Sequence, residues 1–220
     1  MTNDEGLKLI RAVEQADSSA GLINAVQALA EARLEAGVPT LVAVLSYNNP
    51  GAAVAAVDGL VQLGEAAVNQ LLDQIDDYNY GGRAWAIRAL AGIGDARGLE
   101  TLVSAAETDF AMSVRRAAVK GLGNLRWLQM PAQEVRGAQE RVLNTLLLTS
   151  QDQEWVVRYA SVVGLQALAT SVAVTQTDFL QKISAHFEQI VNTDPVLAVR
   201  TRIQLAMQQL QDVSAKVGIA

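Results

Sequence analysis

The sequence contains no cysteine at all, which excludes disulfides, thiolate metal sites and a cysteine nucleophile. It has one histidine, His186, in an apolar first helix with no second metal ligand in view. Neither an imidazole–carboxylate metal cluster nor a Ser-His-Asp set has candidates, so no metal site is expected and His186 reads as a structural residue. A glycine-rich phosphate loop between a strand and a helix is also missing. The four prolines leave few helix breakers. Aromatics are scarce at 5%, so the 50% apolar content rests on alanine, leucine and valine, which suit close packing of helix on helix. Basic runs are lacking too. A net charge of −6 and a pI near 4.8 argue against nucleic acid, and an anionic ligand would have to be met by local arginines against the overall field. No stretch approaches the roughly twenty apolar residues of a membrane span, and the first eight residues hold no signal core, so the expected location is the cytoplasm, without membrane insertion.

What is present is a repeat. Val114-Arg115-Arg116-Ala117-Ala118-Val119-Lys120-Gly121-Leu122 is echoed by Val157-Arg158-Tyr159-Ala160-Ser161-Val162-Val163-Gly164-Leu165 and by Gly82-Arg83-Ala84-Trp85-Ala86-Ile87-Arg88-Ala89-Leu90. Val199-Arg200 opens a weaker copy, and residues 53–60 and 22–29 keep the apolar frame without the arginine. Leu29, Leu60, Leu90, Leu122 and Leu165 mark a register of about 30 to 43 residues, the period of two-helix repeats. Apolar residues recur within each copy at three- and four-residue steps, so each copy predicts the second helix of a pair. First helices are expected over residues 38–46, 66–75, 98–107, 137–148 and 178–191. Asn48-Asn49-Pro50-Gly51 and Gly94-Asp95 are helix stops, Thr177-Asp178 and Asn192-Thr193-Asp194-Pro195 helix starts. The predicted fold is all-α, an α-α superhelix (solenoid) of about five to six HEAT-like helix pairs. A single domain over residues 1–220 is expected. The extra length of the later repeats, at 127–136 and 170–177, predicts longer loops or an added turn, with a bend near 127–136.

Two groups of residues stand out against this frame. The arginines of the Val-Arg dipeptides, Arg115 and Arg158, follow Asp109 and Asp152 or Glu154 respectively. Each reads either as one half of an ion pair fixing the turn between helices or as a guanidinium facing a groove and binding carboxylates. Arg116 and Lys120 extend a short basic stripe, which reads as a solvated face or as a carboxylate clamp. The second group is Asp76-Asp77-Tyr78-Asn79-Tyr80-Gly81-Gly82-Arg83-Ala84-Trp85, with Arg88 one turn further on. Aromatics, an amide and guanidiniums at one helix start suit a flat conjugated anion, or equally an ordinary turn with aromatics packed on the next repeat. Trp127 and Trp155 are expected in the core or packed under loops.

The string Tyr78-Asn79-Tyr80-Gly81-Gly82-Arg83-Ala84-Trp85-Ala86-Ile87-Arg88-Ala89-Leu90, followed by Gly94-Asp95 and Gly98-Leu99, resembles the F-type (beta) subunits of the phycocyanin α-subunit phycocyanobilin lyases of cyanobacteria. So does the stretch from Ala105 to Gly123, and Trp155-Val156-Val157-Arg158-Tyr159-Ala160 is similar as well. The resemblance implies a partner, an E-type (alpha) HEAT-like lyase subunit. It further implies a joint activity, the attachment of phycocyanobilin to a cysteine of the phycocyanin alpha subunit through a thioether. The bilin is then substrate and no cofactor is implied. A sister branch that also isomerises the bilin carries a histidine–cysteine motif, which this cysteine-free sequence lacks, so attachment without isomerisation is the expectation. Under this reading Arg83, Arg88 and Arg115 are propionate clamps, and Arg116 is a further bilin-binding residue. Tyr78, Tyr80 and Trp85 would stack on pyrrole rings, Asn79 would add an amide contact, and Asp109 would hold ring nitrogens. Two other readings stay open, a non-catalytic scaffold for phycobiliproteins and a factor that helps dismantle phycobilisomes.

Overall fold

The register leucines form the spine of the core. Leu29, Leu60, Leu90, Leu122 and Leu165 are each at most 2% exposed in the computed structural model, which describes residues 3–75 and 80–217. Every regular element among the described residues is helical. Each leucine lies on the second helix of a pair, so a three-to-four-residue apolar period becomes one buried face per helix.

The chain divides into two compact units, Met1–Gly98 and Leu99–Ala220. The first holds α1 (Asn3–Glu14), α2 (Ser19–Glu31), α3 (Val38–Val44), α4 (Pro50–Leu63), α5 (Glu65–Asp73) and α6 (Tyr80–Ile93), with one-turn 3-10 segments at Glu35–Gly37 and Ala96–Gly98. Within it α2 packs on α1 and α4, and α4 packs on α3 and α6. The second unit holds α7 (Leu99–Thr108), α8 (Met112–Leu122), α9 (Ala132–Thr149), α10 (Trp155–Val172), α11 (Thr177–Ile190) and α12 (Leu197–Val217). Here α10 lies between α8 and α12 and also packs on α9 and α11. Three pairs in each unit match the upper end of the sequence expectation. The first helix of the first pair, α1, was not anticipated.

The turn chemistry acts where the sequence places it. Asn49 caps α4 by accepting from the amide of Ala52 at 3.1 Å, and Pro50 takes the first helical position. Gly94 ends α6 at φ 68°, a backbone region that disfavours a side chain. At α11 the sequence expectation shifts by one residue: Thr177 is already helical and Gln176 holds the cap position. The extra length of the later repeats appears partly as a longer connection with an added 3-10 turn, as expected, and partly as longer helices. Segment 127–136 is one 3-10 turn, Trp127–Gln129, followed by the start of α9, and α9 and α10 run 18 residues each against 10 and 11 in α7 and α8.

The second helices of the second unit ride very close together. A Cβ added to Gly123 would meet the carbonyl oxygen of Gly164 at 2.5 Å, and one added to Gly164 would meet that of Val119 at 2.6 Å. Only glycine lets these two backbones touch.

Candidate functional site

The turn between paired helices is where the arginines of the repeat do their packing. Arg115, on the first turn of α8, sends Nη1 to the carbonyls of Asp109 and Phe110 at 2.8 and 3.0 Å. These belong to the turn after α7, where a helix end leaves carbonyls without internal partners. Its Nε and Nη2 fork onto the carboxylate of Asp152 at 2.8 and 3.1 Å. Arg158 repeats the arrangement one pair later, with Nη1 on the carbonyls of Asp152 and Gln153 and its fork on Asp194 at 2.7 and 3.1 Å. Arg200 closes the series by donating to the carbonyl of Asp194 at 2.7 Å. Asp152 therefore joins two repeats, accepting Arg115 on its side chain and Arg158 on its backbone.

This corrects the sequence expectation on one point. Each arginine bonds only the backbone of the turn just before it and forks onto the carboxylate of the following repeat. The pairs are mostly buried, with 16% and 12% side-chain exposure for Arg115–Asp152 and 11% and 6% for Arg158–Asp194. Burial pushes the Asp152 carboxyl up. The Arg115 bonds, the Glu154 amide and the neighbouring guanidiniums outweigh it and hold the group below the usual carboxylate range. Asp194 is held low in the same way by Arg158, the Val196 amide and Arg200, against burial. The hydrogen bond to the partner carboxylate raises Arg115 and Arg158 above the ordinary arginine value.

The expected site residues fall into distinct environments. Arg115 has its donors committed to the joint. Asp109 gives its carbonyl to Arg115 and one carboxylate oxygen to the Ala111 amide at 2.8 Å. Arg83 is buried within α6 at 6% exposure. Trp85 is half-buried, and the exposed Arg88 guanidinium lies over its ring, 4.4 Å from the centroid, a cation–π pair that presents a flat cationic surface on the first unit. Arg116 and Lys120 are exposed on α8, and neither side chain makes an ion pair among the described residues. Tyr80 opens α6. Tyr78 and Asn79 lie outside the described residues. His186 bonds Ser150 at 2.8 Å, and burial lowers its pKa.

Sequence reasoning missed a second-unit surface built from the exposed side of the second helices. Trp155, expected in the core or packed under a loop, is 45% exposed on the first turn of α10, and Tyr159 follows one turn later on the same face. Beyond them opens a cleft of about 560 Å³ between the turn that follows α8, the C-terminal half of α10 and α12. Leu125, Val163 and Ala167 give it an apolar wall, while Gln166, Gln209 and Arg202 give it a polar one. No sequence signal marked the cleft: Arg202 lies two residues past the repeat arginine Arg200, off the register that supplies a partner. Among the described residues no group of three histidine, aspartate and glutamate side chains could hold a metal, and no helix is long and apolar enough to cross a membrane.

Known proteins resemble the chain over nearly its whole length. The HEAT repeats family matches residues 68–166. Phycocyanobilin lyase subunit beta of Pseudanabaena tenuis is 58% identical over 205 residues, covering 93% of this chain and 73% of that protein. Phycocyanin alpha phycocyanobilin lyase CpcF of Synechocystis sp. is 50% identical over 203 residues, covering 92% and 93%. Among solved structures, the complex of CpcE and CpcF of phycocyanin lyase from Nostoc sp. contains a chain that is 54% identical with a TM-score of 0.73, covering 78% of this chain and 98% of that one.

Proposed function

The chain belongs to the family of phycocyanobilin lyase subunits beta, and we propose that it is one half of a two-chain lyase joining phycocyanobilin to the phycocyanin alpha subunit. The observation that carries this is the near-full-length identity with the lyase subunits of Pseudanabaena and Synechocystis, together with the match to a chain solved in complex with its CpcE partner. The reaction is an addition. A cysteine thiol of the acceptor forms a carbon–sulfur bond to an unsaturated carbon of the bilin, the thiol proton ends on the chromophore, and nothing leaves.

Such a reaction needs orientation more than an enzymic nucleophile, because the acceptor brings the thiol. The chain suits that task. It has no cysteine to compete for the electrophilic bilin, and it carries exposed aromatic and cationic surfaces on rigid helices. Trp85 with Arg88 in the first unit, and Arg116 with Trp155 and Tyr159 in the second, are the accessible groups for pyrrole rings and propionates. Tyr78, Asn79 and Tyr80 keep their assignment to bilin contact from the sequence. With no histidine–cysteine pair available, the product is the unisomerised phycocyanobilin adduct. The bilin is substrate, the proposal assigns the chain no resident cofactor, and the cytoplasm is its place of work.

Co-expression tests this. The chain, its E-type partner, the phycocyanin alpha apoprotein and phycocyanobilin are produced together, each lyase chain being omitted in turn. Covalent bilin is read by fluorescence in a denaturing gel and by the absorbance of the native product. Labelling that requires both chains supports the proposal. Labelling indifferent to this chain would leave the scaffold or the disassembly role.

A further inference from the structure

Among the described residues of the second unit, Arg202 is a half-buried guanidinium with a buried donor that the fold leaves unsatisfied. Arg115 and Arg158 each fork onto a carboxylate. Among the described residues Arg202 has no ion pair, and its one hydrogen bond runs from Nη2 to the amide oxygen of Gln166. Its Nη1 is buried without an acceptor. Burial lowers its pKa, opposed only by the nearby Tyr159. A half-buried cation with an orphaned donor is costly to keep, because the donor loses its hydration and gains no acceptor. A group that persists at such a cost is poised for something the free chain lacks.

The cleft around Arg202 indicates what that is. Its volume, about 560 Å³, lies in the range of small-molecule sites. No acidic residue lines it. The Gln166 amide oxygen stands where one carboxylate oxygen would accept from Nη2, and the amide nitrogen of Gln166 is held by Gln209. Thr170 and Ser171, on the rim, donate their hydroxyl protons to the carbonyls of Gln166 and Leu168, so toward the cleft they offer lone pairs. The site thus pairs a two-pronged cation with neutral acceptors, beside an apolar wall and next to exposed Tyr159. It fits an elongated, mostly apolar molecule that bears a carboxylate and carries N–H donors.

We propose that the Arg202 cleft is a carboxylate subsite that clamps a propionate of the bilin, with Nη1 and Nη2 forking onto its two oxygens in place of Gln166. This rests on the lyase reading for the identity of the ligand. The chemistry of the cleft by itself specifies the carboxylate.

The test is non-covalent binding of phycocyanobilin to the complex with the E-type partner, followed by absorbance. The free acid is compared with its propionate dimethyl ester, in the wild type, in Arg202→Leu and in Arg202→Lys. The wild type is expected to prefer the acid by about tenfold or more, the size of a charge-assisted fork. Arg202→Leu should erase that preference and leave ester binding unchanged, and Arg202→Lys should retain part of it. Equal weakening of acid and ester by Arg202→Leu would indicate lost packing and overturn the proposal, as would an unchanged preference. Loss of affinity for the alpha apoprotein alone, with bilin binding intact, would overturn it in favour of an acidic group on the acceptor. Attachment in the co-expression assay separates the two ideas. An active wild type with an inert Arg202 sinks the subsite only. An Arg202-dependent preference in an inactive wild type sinks the lyase reading only. Wild type that binds neither form removes both.

Discussion

Two chemistries tie the turns between helices to neighbouring pairs, one neutral and one charged. The first unit shows the neutral kind at Asn49 beside a charged pair, Arg97 forked onto Asp95. In the first unit Asn49 caps α4 and sends its amide nitrogen back to the carbonyl and hydroxyl of Ser19 at 3.2 and 3.0 Å. In the second, a series of joints consists of forked arginine–aspartate pairs whose arginines also collect two carbonyls of the preceding turn. The neutral joint serves one cap and one turn. The charged joint links each turn to the next in an unbroken series, Arg115–Asp152–Arg158–Asp194–Arg200. A neutral amide can be lost with modest local damage, whereas one member of a buried ion pair leaves its partner uncompensated.

The largest expected effect tests that difference directly. Arg158→Leu strands the carboxylate of Asp194, 6% exposed, together with the carbonyls of Asp152 and Gln153. It should cost about 3–5 kcal/mol in urea unfolding. Asn49→Ala removes a cap and two bonds and should cost about 1–2 kcal/mol. Comparable losses in the two variants would show that the charge is incidental and that the comparison fails.

Acid should remove the same joints without a mutation. Asp152 and Asp194 have folded pKa values below their unfolded ones. Their contribution is therefore complete above the ordinary carboxylate range and is lost as pH falls through it toward the lower folded values. The partner arginines stay charged throughout. Hydrogen exchange followed below about pH 4 should show the turns near Asp152 and Asp194 opening before the Asn49 turn. Simultaneous opening would mean that other carboxylates dominate acid unfolding.

How much of this was legible depends on whether a residue's partner lies in its own repeat. The register leucines were readable because each buries against the helix pair that its own period defines. An arginine at the second-helix start was readable as a joint residue as well. Its carboxylate was not, because Asp109 is nearer in sequence to Arg115 than Asp152 is, and only the stacking of repeats brings Asp152 across. Arg202 was illegible for the opposite reason. It lies two positions off the repeat arginine, where periodicity supplies no partner, and its meaning comes from a cleft formed by α10, α12 and the turn after α8. Trp155 misled because a tryptophan in an alanine-rich repeat suggests core, while its place on the first turn of α10 leaves it exposed.

Backbone proximity gives a smaller contrast. Gly164→Ala would drive its Cβ to 2.6 Å from the Val119 carbonyl, a backbone atom held within α8, and should cost about 1–3 kcal/mol. At Gly92 in the first unit the nearest atom, also at 2.6 Å, is a methyl of Val61. A side chain can yield, so Gly92→Ala should cost less than Gly164→Ala in thermal unfolding. A reversed order would show that α8 and α10 can separate freely and that the close approach is not what fixes the cleft beside them.

The smallest effect concerns a neutral joint inside the charged unit. The Ser150 hydroxyl donates to the carbonyl of Leu147 at 2.7 Å, so its contact with His186 Nε2 at 2.8 Å must have the histidine as donor. The ring is then the Nε2–H tautomer, and a proton added at Nδ1 leaves this hydrogen bond intact. Burial alone lowers the pKa of His186. Stability should therefore be unaffected above the ordinary histidine value near 6.5 and should fall as pH drops below it, while the unfolded chain takes up a proton that the folded one resists. His186→Gln keeps a donor for Ser150 and removes the titration. Its unfolding free energy should match the wild type within about 1 kcal/mol at neutral pH, and the dependence between about pH 6.5 and 5 should disappear. A wild type that gains stability over that interval would place a carboxylate near the ring and make this joint charged like its neighbours. A flat profile that the variant leaves unchanged would make the histidine thermodynamically silent, leaving the arginine–aspartate series as the only pH-sensitive link between the turns of the second unit.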